Sequence, residues 1–301
     1  MKTYKCGYIG VVGKTNAGKS SLINALIGQK VSIVTPKTQT TRNNVLGILT
    51  GEDYQYIFVD TPGIHKTKSH LDKYMMKSIR SAIDGVDLLL YVVDGAKEIP
   101  SEEVDYIRGL VDKIENVIVV LSKSDKATKE VMFPNLSKLS EIKEIKEIVP
   151  MSSVTKKNLD TLMECIAKYM PKSETKNFIY DEDLYTDKSI RFLVSEIIRE
   201  KALLRLDQEV PHGIAIDIKV FEEKEHITKI MVDLICERPQ HKNIIIGKQG
   251  QTLKWIGENA RKDIEKLLDT KVMLDIWVRD KKDWRNNTNF LNEIGYSTEE
   301  I

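Results

Sequence analysis

Gly13-Lys14-Thr15-Asn16-Ala17-Gly18-Lys19-Ser20 fits the pattern GxxxxGK[ST], directly after the β-branched run 8–12 and before the apolar-faced stretch Leu22, Ala25, Leu26. A strand, a Gly-bearing loop and a helix in that order are the setting the pattern requires. The glycines let the backbone curl so that the N–H groups of residues 13–18 converge on phosphate oxygens, and the following helix adds its positive N-terminal dipole. Lys19 can then span the outer phosphates, Ser20 can offer a hydroxyl to Mg²⁺, and Ser21 lies in the same first helical turn. A phosphate loop alone does not separate ATP from GTP, or a kinase from a switch.

Three further segments narrow the choice. Val59-Asp60-Thr61-Pro62-Gly63 ends a predicted strand, which puts the Asp60 carboxylate beside the phosphate loop, where it can hold Mg²⁺ through water. The Gly63 N–H can then donate to a γ-phosphate. An Asp at a strand end is also a common turn starter, but forty residues after a phosphate loop the nucleotide role takes precedence. Ser122-Lys123-Ser124-Asp125 closes the run 117–121 and approximates NKxD. A carboxylate at Asp125 accepts from the N1–H and N2–H of guanine, groups adenine lacks, so it selects GTP over ATP. Ser122 replaces the usual Asn; it can still bond toward the phosphate loop, though it is too short to reach the base. Met151-Ser152-Ser153 after the run 145–149 can present a backbone N–H to guanine O6.

Outward from these motifs, the β-branched runs 8–12, 45–49, 54–59, 87–93, 117–121 and 145–149 alternate with helical stretches. This is the rhythm of a sheet with crossover helices. The second and third runs are joined by about four residues, too few for a crossover, so they form an antiparallel hairpin in an otherwise parallel, six-stranded sheet. The predicted nucleotide domain covers 1–172. Residues 173–188, polar and acidic without a sustained period, read as a linker, and 189–301 form a second domain with a C-terminal tail.

In that second half Ile190, Leu193, Ile197 and Leu204 share a helix face, and Ile214, Ile216, Ile218 and Val220 alternate as in a strand. Two more alternating runs, Ile230, Val232, Leu234 and Val272, Leu274, Ile276, Val278, flank a Gly-rich turn and a helix bearing Leu253, Ile256, Ala260, Ile264 and Leu267. The turn, Gly247-Lys248-Gln249-Gly250, is a GxxG. Alone it is weak, but the order helix, strand, strand, helix, helix, strand around it is that of an α+β type II KH domain. Its glycines let the backbone approach a nucleic-acid backbone while an apolar groove alongside takes unpaired bases. Lys242, Lys248, Lys254, Arg261 and Lys262 face a single acid, Glu258, between 242 and 262, although 185–301 as a whole carries 20 basic and 21 acidic residues. The positive charge is concentrated where phosphates would lie. Lys242, Ile246, Gly247, Lys248, Gln249, Gly250, Lys254 and Arg261 are the candidate RNA-binding residues. The competing view is a plain solvated helix face with Trp255 packed on the core.

Composition removes other classes. Forty-six Lys plus Arg against 45 Asp plus Glu leave +1, so no uniform basic field exists and nucleic-acid binding must be local. Cys6, Cys165 and Cys236 lie far apart, which excludes a disulfide framework or a zinc ribbon and suits a reducing cytosol. Apolar runs fall short of the ~18 residues of a membrane span, and no export signal is apparent at the start.

With these motifs the chain resembles translation-factor-related small GTPases and, across 4–296, the bacterial Era GTPase family. The resemblance includes Ser195-Glu196-Ile197-Ile198-Arg199-Glu200-Lys201, Glu209-Val210-Pro211-His212 and Lys282-Asp283-Trp284-Arg285. It implies that Gln39-Thr40-Thr41-Arg42 is switch I, that Thr41 reaches Mg²⁺ in the GTP state, and that GTP, GDP and Mg²⁺ are the ligands. It implies slow hydrolysis of GTP, with Lys19, Thr41 and Gly63 as the catalytic set. Ile64 stands where many GTPases place a water-orienting Gln, and a lone His65 in a loop is more often solvated than catalytic. Asn16 is where some similar GTPases hold K⁺ against the phosphates. The implied partners are 16S ribosomal RNA near its 3′ end and the 30S subunit during assembly. A cytoplasmic monomer is expected, with peripheral association at the inner face of the membrane left open. Ser122, Ser153 for the usual Ala, and Gln249 within GxxG depart from the family pattern. Two other readings compete: a GTPase module of an RNA-modification enzyme, disfavoured because Cys236 and the scattered histidines show no reactive grouping, and a metabolic kinase, which has no use for an NKxD-like motif or GxxG.

Overall fold

The computed structural model describes residues 2–37, 39–64 and 69–296; His65 and the end of the C-terminal tail lie outside them. The chain divides into two compact units, Met1–Ser32 with Thr41–Lys66 and Met75–Asp187, and Ile33–Thr40 with Thr67–Tyr74 and Lys188–Ile301.

The first unit runs β1 (Tyr4–Val12), α1 (Lys19–Ile27), β2 (Val45–Thr50), β3 (Tyr54–Asp60), α2 (His70–Ser81, which starts in the other unit), β4 (Leu88–Asp94), α3 (Ser101–Val111), β5 (Val117–Ser122), α4 (Lys129–Ser140), β6 (Glu147–Pro150), α5 (Leu159–Tyr169) and β7 (Lys172–Ser173). Strand order is β2-β3-β1-β4-β5-β6. Only β2 is antiparallel along that path, as the short connection requires. Because side chains alternate across a strand, β4 sends Leu88, Leu90 and Val92 to one layer and Leu89, Tyr91 and Val93 to the other. The first layer packs with Leu22 and Leu26 of α1 and Leu162 and Ile166 of α5; the second packs with Ile79, Ile107 and Leu139. Two apolar faces of one sheet are thereby covered, which explains why its inner strands read as continuous apolar runs.

The expectation of six strands needs one correction. A seventh, β7, pairs antiparallel with Tyr4 and Lys5 of β1. Two residues carry no readable periodicity, and the pairing arises because β4 flanks β1 only from Ile9 onward. Residues 173–187, read as a linker, are held on this unit by specific bonds. Gln55, fully buried on β3, accepts from the Ile179 and Tyr180 amides at 2.8 and 2.9 Å and donates to the Tyr180 carbonyl at 2.8 Å. Farther along, Tyr185 O accepts from Ile48 N at 3.0 Å, and Thr186 forms an antiparallel bridge to Gly47.

The second unit contains α6 (Ile190–Arg205), β8 (Ala215–Lys224), β9 (Ile227–Cys236), α7 (Pro239–Ile246), a 3₁₀ turn (Lys248–Gly250), α8 (Gln251–Leu268), β10 (Lys271–Asp280) and α9 (Thr288–Glu293). The Ser189 side chain caps α6 by accepting from Phe192 N. Strand order is β10-β9-β8, with β9 and β10 parallel, so α7 and α8 form the crossover between them. Two details differ from the strict periodicity. Ile190 and Leu204, assigned to the core face of α6, are exposed at its two ends, while Val194, Ile198, Ala202 and Leu203 join Leu193 and Ile197 inside. A bulge between Ile218 and Val220 shifts the phase of β8, so Phe221 rather than Val220 reaches the core. Trp284, fully buried, donates to Gly213 O at 2.9 Å and fixes the segment after β10.

Candidate nucleotide site and nucleic-acid interface

The phosphate loop leaves β1 and enters α1 through three residues of positive φ, Gly13, Asn16 and Gly18. That backbone path turns N–H groups inward and is one that Gly and Asn adopt at little cost. Lys19 is buried and donates to the carbonyls of Gly13 at 3.0 Å and Lys14 at 3.1 Å. Burial lowers its pKa to about 8, against the opposing pull of Asp60. A buried cation that donates to carbonyls of its own loop is matched to an anion that the loop would receive. The next residue, Ser20, donates from Oγ to Asp60 Oδ2 at 2.7 Å and lies 2.9 Å from Thr41 Oγ1, which therefore serves as its donor. Asp60 is itself fully buried at the end of β3; desolvation raises its pKa, opposed by the hydroxyls of Ser20, Ser32 and Thr41 and by Lys19. Its second oxygen, Oδ1, is buried with no hydrogen-bond partner among the described residues.

Ser20, Thr41 and Asp60 thus present hard oxygens, one of them a carboxylate, at one point. This fits Mg²⁺, which takes one or two carboxylates from protein and the remainder from phosphates and water; the unpartnered Asp60 oxygen is suited to an ion-bound water. Among the described residues no cluster of three or more His, Cys, Asp or Glu offers an all-protein alternative.

Thr61 is pinned by donating to Val11 O at 2.8 Å, and the chain after Pro62 lies on the loop, with Ile64 N donating to Gly13 O at 3.2 Å. A side chain at Gly63 would meet the Thr15 backbone at 2.6 Å, so only Gly permits that approach. On the base side, the Ser122 hydroxyl points to the carbonyls of Ala17 and Val93, the second at 2.9 Å. It braces the phosphate loop as expected and does not extend toward a base. Lys123 donates to Asn16 O at 2.6 Å and pairs with Asp94 at 2.8 Å. Ser152 Oγ donates to Asp125 Oδ1 at 2.6 Å and orients the carboxylate, while the Ser152 amide donates to Lys157 O at 3.1 Å. Lys14 pairs with buried Glu103 at 3.0 Å.

Sequence reasoning missed Asp94, Glu103 and Asn24. Asn24 Oδ1 accepts from Val31 and Ser32 amides at 2.9 and 3.0 Å, and its Nδ2 donates to Ser32 O at 2.7 Å. No local motif marks them: Asp94 and Glu103 act on residues remote in the chain, and Asn24 on the turn that follows its own helix. Within the other unit, the residues before Thr41 are also tied: Val34 N donates to Glu200 Oε1 at 3.1 Å and Arg199 donates to Thr40 O.

In that unit, a groove of about 380 Å³ runs between α8 and β10. Leu253, Gly257, Leu274 and Ile276 form its apolar surface, and Gly250, Lys254, Glu258 and Arg261 edge it. Gly247, Lys248 and Gln249 continue the loop from Gly250, all but Lys248 of these four with positive φ. Lys242 on α7 is outside the groove lining, and Ile246 and Trp255 pack against the core. Lys254 is 3.9 Å from Glu258, so part of its charge is balanced. Leu274 and Ile276 were legible only as strand-core residues.

A phosphate loop, an Asp at the end of β3 and a base loop converging in one unit, with a GxxG groove in the other, can be compared with known proteins. The family model described as 50S ribosome-binding GTPase matches residues 8–123, and that described as KH domain matches 209–285. GTPase Era of Clostridium beijerinckii is 48% identical over 294 residues, 97% of this chain and 98% of that protein. The chain belongs to the Era GTPase family. Two solved Era structures share the whole fold. One, in complex with MgGDPNP and nucleotides 1506–1542 of 16S ribosomal RNA, has a TM-score of 0.91 and 36% identity over 98% of this chain and 99% of that one. The other, a variant of Aquifex aeolicus Era bound to GDP·AlF₄⁻, has a TM-score of 0.90 and 37% identity over 97% and 99%. The Era architecture, a P-loop GTPase domain with a mostly parallel sheet followed by a KH domain, is what the two units display. Among the described residues no helix is long and apolar enough to cross a membrane.

Proposed function

We propose that this chain is a GTP-controlled switch that binds small-subunit ribosomal RNA near its 3′ end and acts in 30S assembly, with a nucleotide domain at 1–172, a connecting segment at 173–188 and an RNA-binding domain at 189–301. The convergence of Ser20, Thr41 and Asp60 beside the buried Lys19 carries the nucleotide half. The RNA half is supported by the GxxG groove and by the ribosomal RNA bound to a related Era.

In this reading the amides of 13–18 cradle the phosphates, and Lys19 exchanges two loop carbonyls for phosphate oxygens. Ser20, Thr41 and Asp60 hold Mg²⁺, which when bound neutralises charge developing on the transferred phosphoryl group. Thr41 and Gly63 contact the γ-phosphate side only while it is present, so its loss releases both switch segments. Asp125 reads guanine N1–H and N2–H, and Ser153 N–H reads O6. The protein works as a cytoplasmic monomer.

Asp125→Asn tests the base assignment. GTP binding should weaken by about 10- to 100-fold, the range for losing charge-assisted hydrogen bonds, and XTP should gain, because the amide can donate to the xanthine carbonyl. Competition by GTP, ATP and XTP that is unchanged in the variant would refute the role.

A further inference from the structure

The phosphate loop is backed by open space. A cavity of about 180 Å³ lies behind residues 14–17, lined also by Asp94, Lys97 and Glu103 from the connection between β4 and α3 and from the start of α3. Where side chains do not fill the space behind a loop, polar ties across it set the loop's position. Two such ties exist. At one end Lys123 donates to Asn16 O at 2.6 Å and Ser122 donates to Ala17 O, both from the segment that carries the base motif. At the other end Lys14 pairs with Glu103 at 3.0 Å, and no nucleotide motif includes Glu103.

Glu103 is firmly held. It lies in the first turn of α3, where the helix N-terminus favours a carboxylate, and its side chain is 7% exposed. Oε1 accepts from the hydroxyl of Tyr91, buried on β4, at 3.3 Å, and Oε2 takes Lys14. A carboxylate enclosed to this degree needs its cation, because breaking a buried pair leaves a charge uncompensated. Lys14 is thereby tied to a helix and to a strand of the central sheet. Its own backbone is just as engaged: the carbonyl accepts from Lys19 Nζ at 3.1 Å and from Ala17 N at 3.3 Å, and the residue forms a parallel bridge with Ile64. Gly63, the γ-phosphate donor of the proposed function, leaves no room for a side chain beside Thr15. Residues 13–15 are therefore the γ-phosphate end of the loop, and 16–17 the end braced from the base motif.

We propose that Glu103 is a positioning residue for the γ-phosphate: through Lys14 it holds residues 13–15 against Gly63 and Ile64 at the spacing GTP requires. GDP lacks that phosphate and relies on the end of the loop braced by Lys123 and Ser122. Glu103 thus sets the preference for the triphosphate and leaves diphosphate binding to the other brace.

This inference rests on the nucleotide-site reading, and binding of fluorescent GDPNP and GDP to the full chain at saturating Mg²⁺ separates the two. Glu103→Gln keeps the size of the side chain and an acceptor for Tyr91 while removing the charge that holds Lys14. It should weaken GDPNP binding by about tenfold, the effect of losing one charge-assisted tie, and leave GDP binding unchanged. Lys14→Met should lower the ratio of GDPNP to GDP affinity to the same extent, and the double variant should lower it no further. An unchanged ratio in Glu103→Gln overturns the proposal, whether both affinities stay parental or fall together, because equal loss marks general loosening of the domain. Additive losses in the double variant overturn it as well, since Lys14 and Glu103 would then act separately. If the parent bound neither nucleotide, the nucleotide-site reading would fall, and this proposal with it.

Discussion

Raising the pH from 7.5 to 9 should weaken GDP binding by about tenfold, and Lys19 is the reason. In the nucleotide-free protein, burial brings its pKa from 10.5 down to about 8, with Asp60 opposing the shift. Phosphates restore the charged form, so the complex keeps a proton that the free protein has lost above pH 8. Affinity must then fall as pH rises, because only the protonated fraction is ready to bind. That fraction drops from roughly three-quarters at pH 7.5 to roughly a tenth at pH 9 for a pKa of about 8. The window ends there because the guanine ring begins to lose its own N1 proton at higher pH. Fluorescent GDP titrations at constant ionic strength and saturating Mg²⁺ measure the effect directly. Lys19→Arg is the control: its guanidinium does not deprotonate, so binding, though weaker, should lose this slope. An affinity flat across the window in the parent, or an unchanged slope in Lys19→Arg, would refute the claim that a buried, partly neutral Lys19 is what the phosphates meet.

Gly250→Asp should leave GTP hydrolysis unaltered and weaken binding of single-stranded RNA by about tenfold at fixed salt, through added charge at a phosphate-facing turn. Gly250 is the better position than Gly247, since a side chain there meets nothing within 4 Å, whereas at Gly247 it strikes Thr252 at 2.3 Å; equal RNA affinity in variant and parent would remove the groove from consideration. Single-turnover hydrolysis should be faster in K⁺ than in Na⁺ at equal ionic strength, with Asn16 among the ligands. Because Asn16 has φ 62, Asn16→Gly deletes its side chain without backbone strain, and identical rates in both salts, or a K⁺ preference that survives in Asn16→Gly, would leave the transition-state charge to other groups.

Much of the site is legible in the chain because its chemistry is imposed locally. Curling a loop around phosphates demands small residues at fixed spacing, so residues 13–20 and 247–250 announce themselves; a carboxylate at the mouth of a strand is placed by the strand itself, which locates Asp60, while Asp125 is found by its spacing in the turn just after β5. The unbroken apolar run 88–93 likewise dictates a strand buried on both faces. Tertiary structure decided what depends on segments that meet from afar. The buried amide of Gln55 holds residues 179 and 180, a pairing no period encodes. The bulge before Val220 exchanges its place with Phe221, since the demands of pairing with β9 outweigh strict alternation. Lys19 reads in sequence as an ordinary cation, and only its enclosure lowers its pKa. Asn24 and Ser32 read as a helix polar residue and a loop serine; only the fold shows the Asn24 amide closing on the Ser32 backbone at both its N–H and its carbonyl.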